Sequence, residues 1–109
     1  MPTLKQLNGK LFDGIELVPV FQVRLEPEDF KANLGIQFQE DFDDLDRFIW
    51  AAIETSSGHQ FALTRYVRNP GSGTTAWMPR GTFSPQIHVP SFLVATGLLD
   101  SDITWVRVD

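Results

Sequence analysis

Three short apolar segments, separated by turn signals, constrain the fold of this chain more than any other feature. They span residues 48–53, 61–67 and 74–78. Glycine, serine, asparagine and proline recur between them, and segments of this length with such boundaries are typical of strands joined as hairpins. The sequence therefore predicts a three-stranded antiparallel meander in the middle of the chain.

The first apolar segment also fits a helix over residues 45–55. Its apolar positions follow the spacing of an amphipathic helix, and Asp43 or Asp44 could cap the helix start. As a strand, the same segment is apolar on both faces, which is typical of a central strand, and a turn-like stretch at residues 56–59 follows it directly. We favour the strand because it forms a hairpin with the next segment, and we keep the helix as the alternative.

The sequence predicts one helix on each side of the meander. Over residues 27–34, a proline occupies the first helical position, two acids follow it, and Gly35 can end the helix. The second helix is expected to start at Pro90 or Ser91 and to end at Gly97, which suits a left-handed cap.

Further strands are predicted at residues 16–25 and 103–108, with a short extended piece at residues 86–89. Pro19 has no N–H group to donate to a sheet ladder. The strand that contains it is therefore expected either to begin near Val20 or to lie at a sheet edge.

The length of 109 residues is that of one domain. We predict a single α+β domain over residues 1–109, with a mostly antiparallel sheet of about four to six strands and two short helices packed on it. Trp50, Leu63 and Trp105 lie inside predicted strands, so we expect all three in the core.

Composition disfavours several classes of function. The net charge is −5, which opposes binding to nucleic-acid phosphates. The chain has no cysteine, so it cannot form disulfides, a thiol nucleophile or cysteine-bound zinc. Its apolar runs are far shorter than the ~20 residues of a membrane-spanning helix, and we expect no membrane association. The chain is typical of a small cytoplasmic bacterial protein, and we expect no cofactor.

Acidic side chains concentrate in one part of the chain, since residues 26–46 carry eight acids against one lysine. A run of this kind is typical of a solvated loop or a helix start, and it can also bind a divalent cation or a basic partner. A calcium loop is disfavoured because the sixth and twelfth positions from Asp41 are Asp46 and Ala52, where Gly and Glu are required. We predict no metal site but a site for a protein partner, which could be a basic protein, at Glu40, Asp41, Asp43, Asp44 and Asp46.

Three arginines form a second candidate group: Arg65, Arg68 and Arg80. In the meander, Arg65 is expected at the core margin and Arg68 on the other face. One interpretation pairs these arginines with the aspartates of the acidic run. The other is an exposed patch of the kind enriched at protein interfaces and anion sites, in which the arginines join Tyr66, Trp77 and Met78.

The histidines and serines show no catalytic pattern. His59 is expected in a solvent-facing turn and His88 on the polar face of a short strand. Ser91 is typical of a turn or capping residue, as are the other serines that follow apolar segments, and no nucleophile elbow is present. The sequence therefore predicts no catalytic residue.

The sequence supports a fold better than it supports an activity. Our first hypothesis is a small acidic, non-enzymatic protein-interaction domain of the adaptor, inhibitor or toxin-neutralising type. The alternative is a small enzyme or ligand-binding domain for an anionic molecule, which would use Arg65, Arg68 or Arg80 with His59 or His88.

Overall fold

The structure, a computed structural model, describes residues 4–8, 12–42, 46–69 and 71–108. Its strands are β1 (Leu4–Leu7), β2 (Leu17–Val23), β3 (Gln39–Phe42), β4 (Arg47–Thr55), β5 (Gln60–Tyr66), β6 (Thr74–Pro79) and β7 (Ile103–Val106). Its helices are α1 (Pro27–Leu34) and α2 (Pro85–Thr96), and a 3-10 turn at Asp100–Asp102 precedes β7.

These strands form one antiparallel sheet with the order β1-β4-β5-β6-β2-β7. One edge of β4 pairs with β5. Along its other edge, residues 47–50 of β4 pair with β3, and residues 52–55 of β4 pair with β1. The predicted α+β class is confirmed, and the described part of the sheet contains seven strands where four to six were expected.

The hairpin interpretation of the central segment is correct, and the helix alternative is wrong for the residues of β4. Ala51 pairs with Leu63 and Ile53 pairs with Phe61 in the antiparallel register of β4 and β5. All four of these side chains are buried, so the hairpin places apolar residues of both strands in the core.

Helix α1 has the predicted bounds, because its end signals lie within a few residues of the helix itself. The Asp29 carboxylate accepts the Glu26 N–H at 2.9 Å, which satisfies a donor at the helix start. Gly35 has a left-handed conformation with φ 71°, which glycine adopts without a steric penalty.

Helix α2 begins earlier than predicted. It starts at Pro85, so the extended piece at residues 86–89 and the start at Pro90 or Ser91 are both wrong. Pro85 occupies the first helical turn, where the missing N–H costs nothing, and Pro90 lies inside the helix, where one backbone hydrogen bond is lost. Packing of Phe92 in the core offsets this loss, since its side chain is 0 % exposed.

Strand β2 includes Pro19, although the sequence predicted a later start or an edge position. It begins at Leu17 and lies between β6 and β7. Strand β7 pairs only with residues 21–23 of β2, so no described strand requires a donor from Pro19 on that side. A register shift between Pro19 and Phe21 accommodates the proline on the side of β6.

Both helices pack on the same face of the sheet. The ring of Phe92 from α2 meets Phe21 at 4.9 Å and Phe61 at 5.5 Å, and it also meets Phe30 from α1 at 6.4 Å. All three contacts are edge-to-face, an arrangement that aromatic rings prefer. We call this side of the sheet the covered face.

Candidate functional site

The opposite side of the sheet carries neither of the two helices, and we call it the open face. Side chains alternate between the two faces along a strand, so the neighbours of Phe61 and Leu63 point away from the helices. Cross-strand pairs extend the open face across the sheet, with Phe48 opposite Tyr66 and Ala62 opposite Trp77. The residues of the open face in the middle of the sheet include Leu17, Phe48, Trp50, Ala62, Thr64, Tyr66 and Trp77.

A pocket of about 230 Å³ lies on the open face. It forms because β5 places two small side chains, Ala62 and Thr64, between large ones on the neighbouring strands. The Trp77 Nε1–H donates to Thr64 Oγ1 at 2.7 Å, which holds the indole over β5. We call this the aromatic pocket, and its lining residues are Leu17, Phe48, Ala62, Thr64, Tyr66 and Trp77.

The rings of Phe48 and Tyr66 form one wall of the aromatic pocket. Their centroids are 6.0 Å apart and their planes meet at 66°, so one ring presents its edge to the other. Both side chains are half-buried, as are Trp50 and Trp77. The surface of the open face around the pocket is therefore apolar and aromatic, and it is partly exposed.

The edges of the sheet are a weaker candidate surface than the open face, because they are poorly suited to binding an added strand. Strands β1, β3 and β7 each have four residues, and β7 has a register shift against β2. All four residues of β3 are exposed, and two of them are acidic. Short, charged and irregular edge strands resist pairing with another chain, so the open face is the better candidate surface.

Part of the acidic run belongs to this surface. Glu40 and Asp41 lie in β3, not in a loop or helix start as expected, because pairing with β4 satisfies the extended backbone. Asp41 is opposite Phe48 and therefore lies on the open face, whereas Glu40 lies on the covered face and pairs with Arg47 at 3.1 Å. Asp43 and Asp44 lie outside the described residues.

Charges near the open face are mostly paired. Asp46 forms an ion pair with Arg68 at the start of β4, and Lys5 pairs with Glu54 at 3.7 Å near the far end of the same strand. Within the described ranges Asp41 has no ion pair, and its carboxylate accepts only the N–H of the next residue, at 2.8 Å. A negative charge therefore remains beside the aromatic pocket.

Arg65 lies on the covered face, at the predicted core margin, but its partners differ from those predicted. Its Nη1 contacts Glu26 at 2.7 Å and Glu28 at 3.3 Å, and its side chain is only 10 % exposed. Arg65 thus forms ion pairs with residues of α1 and its cap, whereas the aspartates of the acidic run were expected as its partners.

Glu26 is the centre of this polar cluster. Besides Arg65, its carboxylate accepts the N–H of Gly71 at 2.9 Å and that of Gly73 at 2.5 Å. Burial raises the pKa of Glu26, but these hydrogen bonds and the arginine outweigh burial and hold the pKa below its usual value. The cluster fastens the start of α1 to β5 and to the loop before β6.

The three arginines of the anion-binding hypothesis do not form one group. Arg68 pairs with Asp46, one of its predicted partners, and Arg80 pairs with Glu16 at 2.9 Å. Arg68 follows β5 and Arg80 follows β6, and because these strands are antiparallel the two arginines lie at opposite ends of the sheet. The structure thus brings each arginine to a carboxylate but not to the other arginines.

The histidines lie together, which the sequence did not predict. His88 is on α2 and buried, not on a strand, and its ring meets that of half-buried His59 at 4.7 Å. Ser91 also lies inside α2, and its hydroxyl contacts His59 Nδ1 at 2.8 Å and Thr55 Oγ1 at 2.9 Å. Thr55 Oγ1 in turn accepts the His59 N–H at 3.2 Å, which closes a ring of hydrogen bonds between the β4–β5 turn and α2.

The Nδ1 atom of His88 is used at the start of its own helix. It accepts the Ser84 N–H at 2.9 Å, so this imidazole replaces a side-chain cap. Burial lowers the pKa of His88, and the nearby His59 lowers it further, against a raising contribution from the Ser84 backbone. These contacts indicate that the histidine cluster stabilises the junction of α2 with the sheet.

The pocket as a whole was not predicted from the sequence, although two of its residues were singled out. Tyr66 and Trp77 lie together on the open face, where both are half-buried, but Met78 is buried on the covered face. The signal available was that residues 48–53 are apolar on both strand faces, a pattern that is typical of a central strand.

Comparisons of the chain with protein-family models, curated proteins and solved structures found no match. In the described ranges, no helix is long and apolar enough to cross a membrane. The same ranges contain no group of three or more histidine and acidic side chains placed to hold a metal ion.

Proposed function

We propose that this chain is a small, acidic, non-enzymatic protein-interaction domain that binds a protein partner through its open face. The observation that carries this proposal is the aromatic pocket, because it lies on a sheet face that neither helix covers. Its lining residues come from four neighbouring strands of a continuous sheet. A partner would therefore meet a surface whose shape is set before binding, which reduces the entropy lost on association.

The composition of the open face supports a protein partner. Tyrosine and tryptophan are the residues most enriched among those that dominate binding energy at interfaces, and they act in pockets from which water is excluded. Tyr66, Trp77 and Trp50 all lie on this face. A large side chain of the partner inserted in the pocket would remove these partly exposed rings from water.

The size of the pocket favours a side chain over a free small molecule. Its volume of about 230 Å³ is below the roughly 300–1,000 Å³ of typical ligand sites. A partner that inserts one side chain and covers the surrounding open face would bury a larger area than a ligand confined to the pocket.

The acidic run would act at the border of this surface. Asp41 lies on the open face and forms no ion pair within the described ranges, so its charge would attract a basic partner from a distance. We expect the interaction in the cytoplasm, since a chain without cysteine needs no oxidising compartment to fold.

The test is a selection of binding peptides from a displayed random library, with the purified protein as the target. Selected peptides are then titrated against wild type, Tyr66→Ala on the open face and Val94→Ala on α2. Val94 is a matched control because its side chain is 70 % exposed on the other side of the molecule. We expect Tyr66→Ala to weaken binding about tenfold or more and Val94→Ala to leave it unchanged.

Circular dichroism and thermal denaturation of both variants show whether the fold is intact. The proposal is contradicted if selected peptides bind folded Tyr66→Ala as tightly as wild type, or if a saturating selection enriches no binder.

A further inference from the structure

The aromatic pocket presents ring faces and few hydrogen-bond donors. Three of its lining residues are aromatic: Phe48, Tyr66 and Trp77. The only N–H of the Trp77 side chain is already donated to Thr64, so it is not available to an anion or a carbonyl group of a ligand. Electron-rich ring faces attract cations by their quadrupole, and arginine and lysine side chains are the usual cations in proteins.

A carboxylate lies beside the same rings. Asp41 is directly opposite Phe48 in the register of β3 and β4, and residues so placed have Cβ atoms about 4.5–5.5 Å apart. Asp41 is exposed and forms no ion pair with the part of the chain that the structure describes. The neighbouring cations Arg68 and Lys5 are each paired with an acid, so they do not cancel this charge.

From these observations we infer that the aromatic pocket takes the cationic side chain, arginine or lysine, of a basic segment of the partner. This inference rests on the proposed function and specifies the chemistry of the inserted group. The aliphatic stem of such a side chain contacts Leu17 and Ala62, its charged group meets the aromatic rings, and Asp41 neutralises the charge. An apolar anchor would fill the same space but would leave Asp41 without a partner.

The experiment compares three pentapeptides that share four glycines and carry arginine, lysine or norleucine at the centre. Binding is followed by NMR through the indole N–H signal of Trp77 and the amide signal of Ala62. Norleucine has the apolar stem without the charge, so it isolates the contribution of the cation. We expect the arginine peptide to bind about threefold to tenfold tighter than the norleucine peptide at low salt, with lysine between them.

Two substitutions at one position separate ring electrons from apolar contact. Tyr66→Phe keeps the aromatic ring, whereas Tyr66→Leu keeps an apolar side chain without ring electrons. We expect Tyr66→Leu to weaken the arginine peptide about threefold to tenfold and Tyr66→Phe to change it less than twofold. The affinity of the norleucine peptide should be similar in both variants.

Asp41→Asn tests the charge. It should weaken the arginine peptide about twofold to fivefold at low salt, and the difference should disappear near 1 M salt, where charges are screened within about 3 Å. Asp100→Asn, an exposed aspartate after α2, is the matched control and should have no effect.

The outcomes separate this inference from the proposed function. If norleucine binds as tightly as arginine, or if Tyr66→Leu binds the arginine peptide like wild type, the anchor is apolar and the inference is wrong, while the open face remains a binding surface. If none of the three peptides shifts the Trp77 signal but library-selected binders still require Tyr66, only the inference is overturned. Loss of any dependence on Tyr66 overturns both.

Discussion

The covered and open faces of the sheet are built from the same strands but differ in what their aromatic residues do. On the covered face, Phe21, Phe61 and Phe92 contact one another and each is 0 % exposed. On the open face, Phe48 and Tyr66 also contact each other but stay half-buried beside a pocket. Apolar residues on both faces of a strand therefore do not require burial on both faces, and the uncovered set stays partly exposed.

The largest effect on stability is expected when one phenylalanine from each face is replaced and the two variants are compared. Phe92→Ala should lower the free energy of unfolding by about 3–5 kcal/mol, because it leaves a cavity among the three aromatic rings that contact Phe92. Phe48→Ala should cost about 1 kcal/mol or less, because its ring is already partly hydrated. Chemical denaturation of both variants measures the two costs. Equal costs would show that the open face is as tightly packed as the core.

A smaller effect on stability is expected for two arginines near the end of β5. Arg65→Met should cost about 2–3 kcal/mol, because it leaves the Glu26 carboxylate without its cation in a largely buried place. Arg68→Met should cost under ~1 kcal/mol, since that side chain is 73 % exposed. Denaturant midpoints of the two variants provide the test. A loss for Arg68→Met as large as that for Arg65→Met would contradict the assignment of structural pairing to the covered face.

The pH dependence of stability should reflect His88, which lies on α2, the helix that packs on the covered face. The folded-state pKa of His88 is lowered from the ordinary histidine value of about 6.5, so between the two pKa values the unfolded chain binds more protons than the folded one. The contribution of His88 to stability is therefore complete above about pH 6.5 and is lost as the pH falls below it. Denaturation curves between pH 7.5 and pH 5 should show this loss.

His88→Asn is the control for the pH dependence, since the amide oxygen can still accept the Ser84 N–H but does not titrate. Its stability should change less than that of wild type over the same range. A wild-type curve that rises as the pH falls from 7 to 5 is the opposite of the expected result.

The smallest effect on stability is expected for the acidic run. Replacing Asp41, Asp43 and Asp44 together by asparagine should change the free energy of unfolding by about 0.5 kcal/mol or less, because like charges close together in sequence repel one another. Binding of a basic partner should weaken, and the salt dependence of its association rate should flatten. A clearly destabilised variant with unchanged affinity would mean that these acids belong to a structural network.

The parts of the fold that the sequence predicted correctly depend on local signals. The meander follows from turn residues between apolar segments, and α1 follows from its caps. Trp105 was predicted to be in the core but is 44 % exposed, and Trp50 is only half-buried, whereas Leu63 is 1 % exposed as expected. All three lie in apolar strands, and their sequences contain no information on which side of the sheet the helices cover.

The candidate site was less predictable than the fold, because it depends on neighbours that are distant in sequence. Tyr66 and Trp77 were named in one of two interpretations, as part of an exposed patch of arginines and aromatic residues, but Phe48 joins them only through the register of β4 with β5. Asp41 was predicted to bind a partner, and that prediction remains open. Its position beside Phe48 follows from the pairing of β3 with β4, which the sequence did not indicate.

The sequence by itself determined the α+β class and the bounds of α1, and it favoured the hairpin of β4 and β5 over a helix, because turns and caps act between residues a few positions apart. Tertiary structure decided the contacts between residues that are distant in sequence. These are the ion pair of Glu26 with Arg65, the hydrogen bond of Ser91 with His59, and the packing of the helices on one face of the sheet. Side-chain alternation assigns residues to two faces but treats both alike, so only the packing of α1 and α2 against one of them left the aromatic pocket exposed on the other.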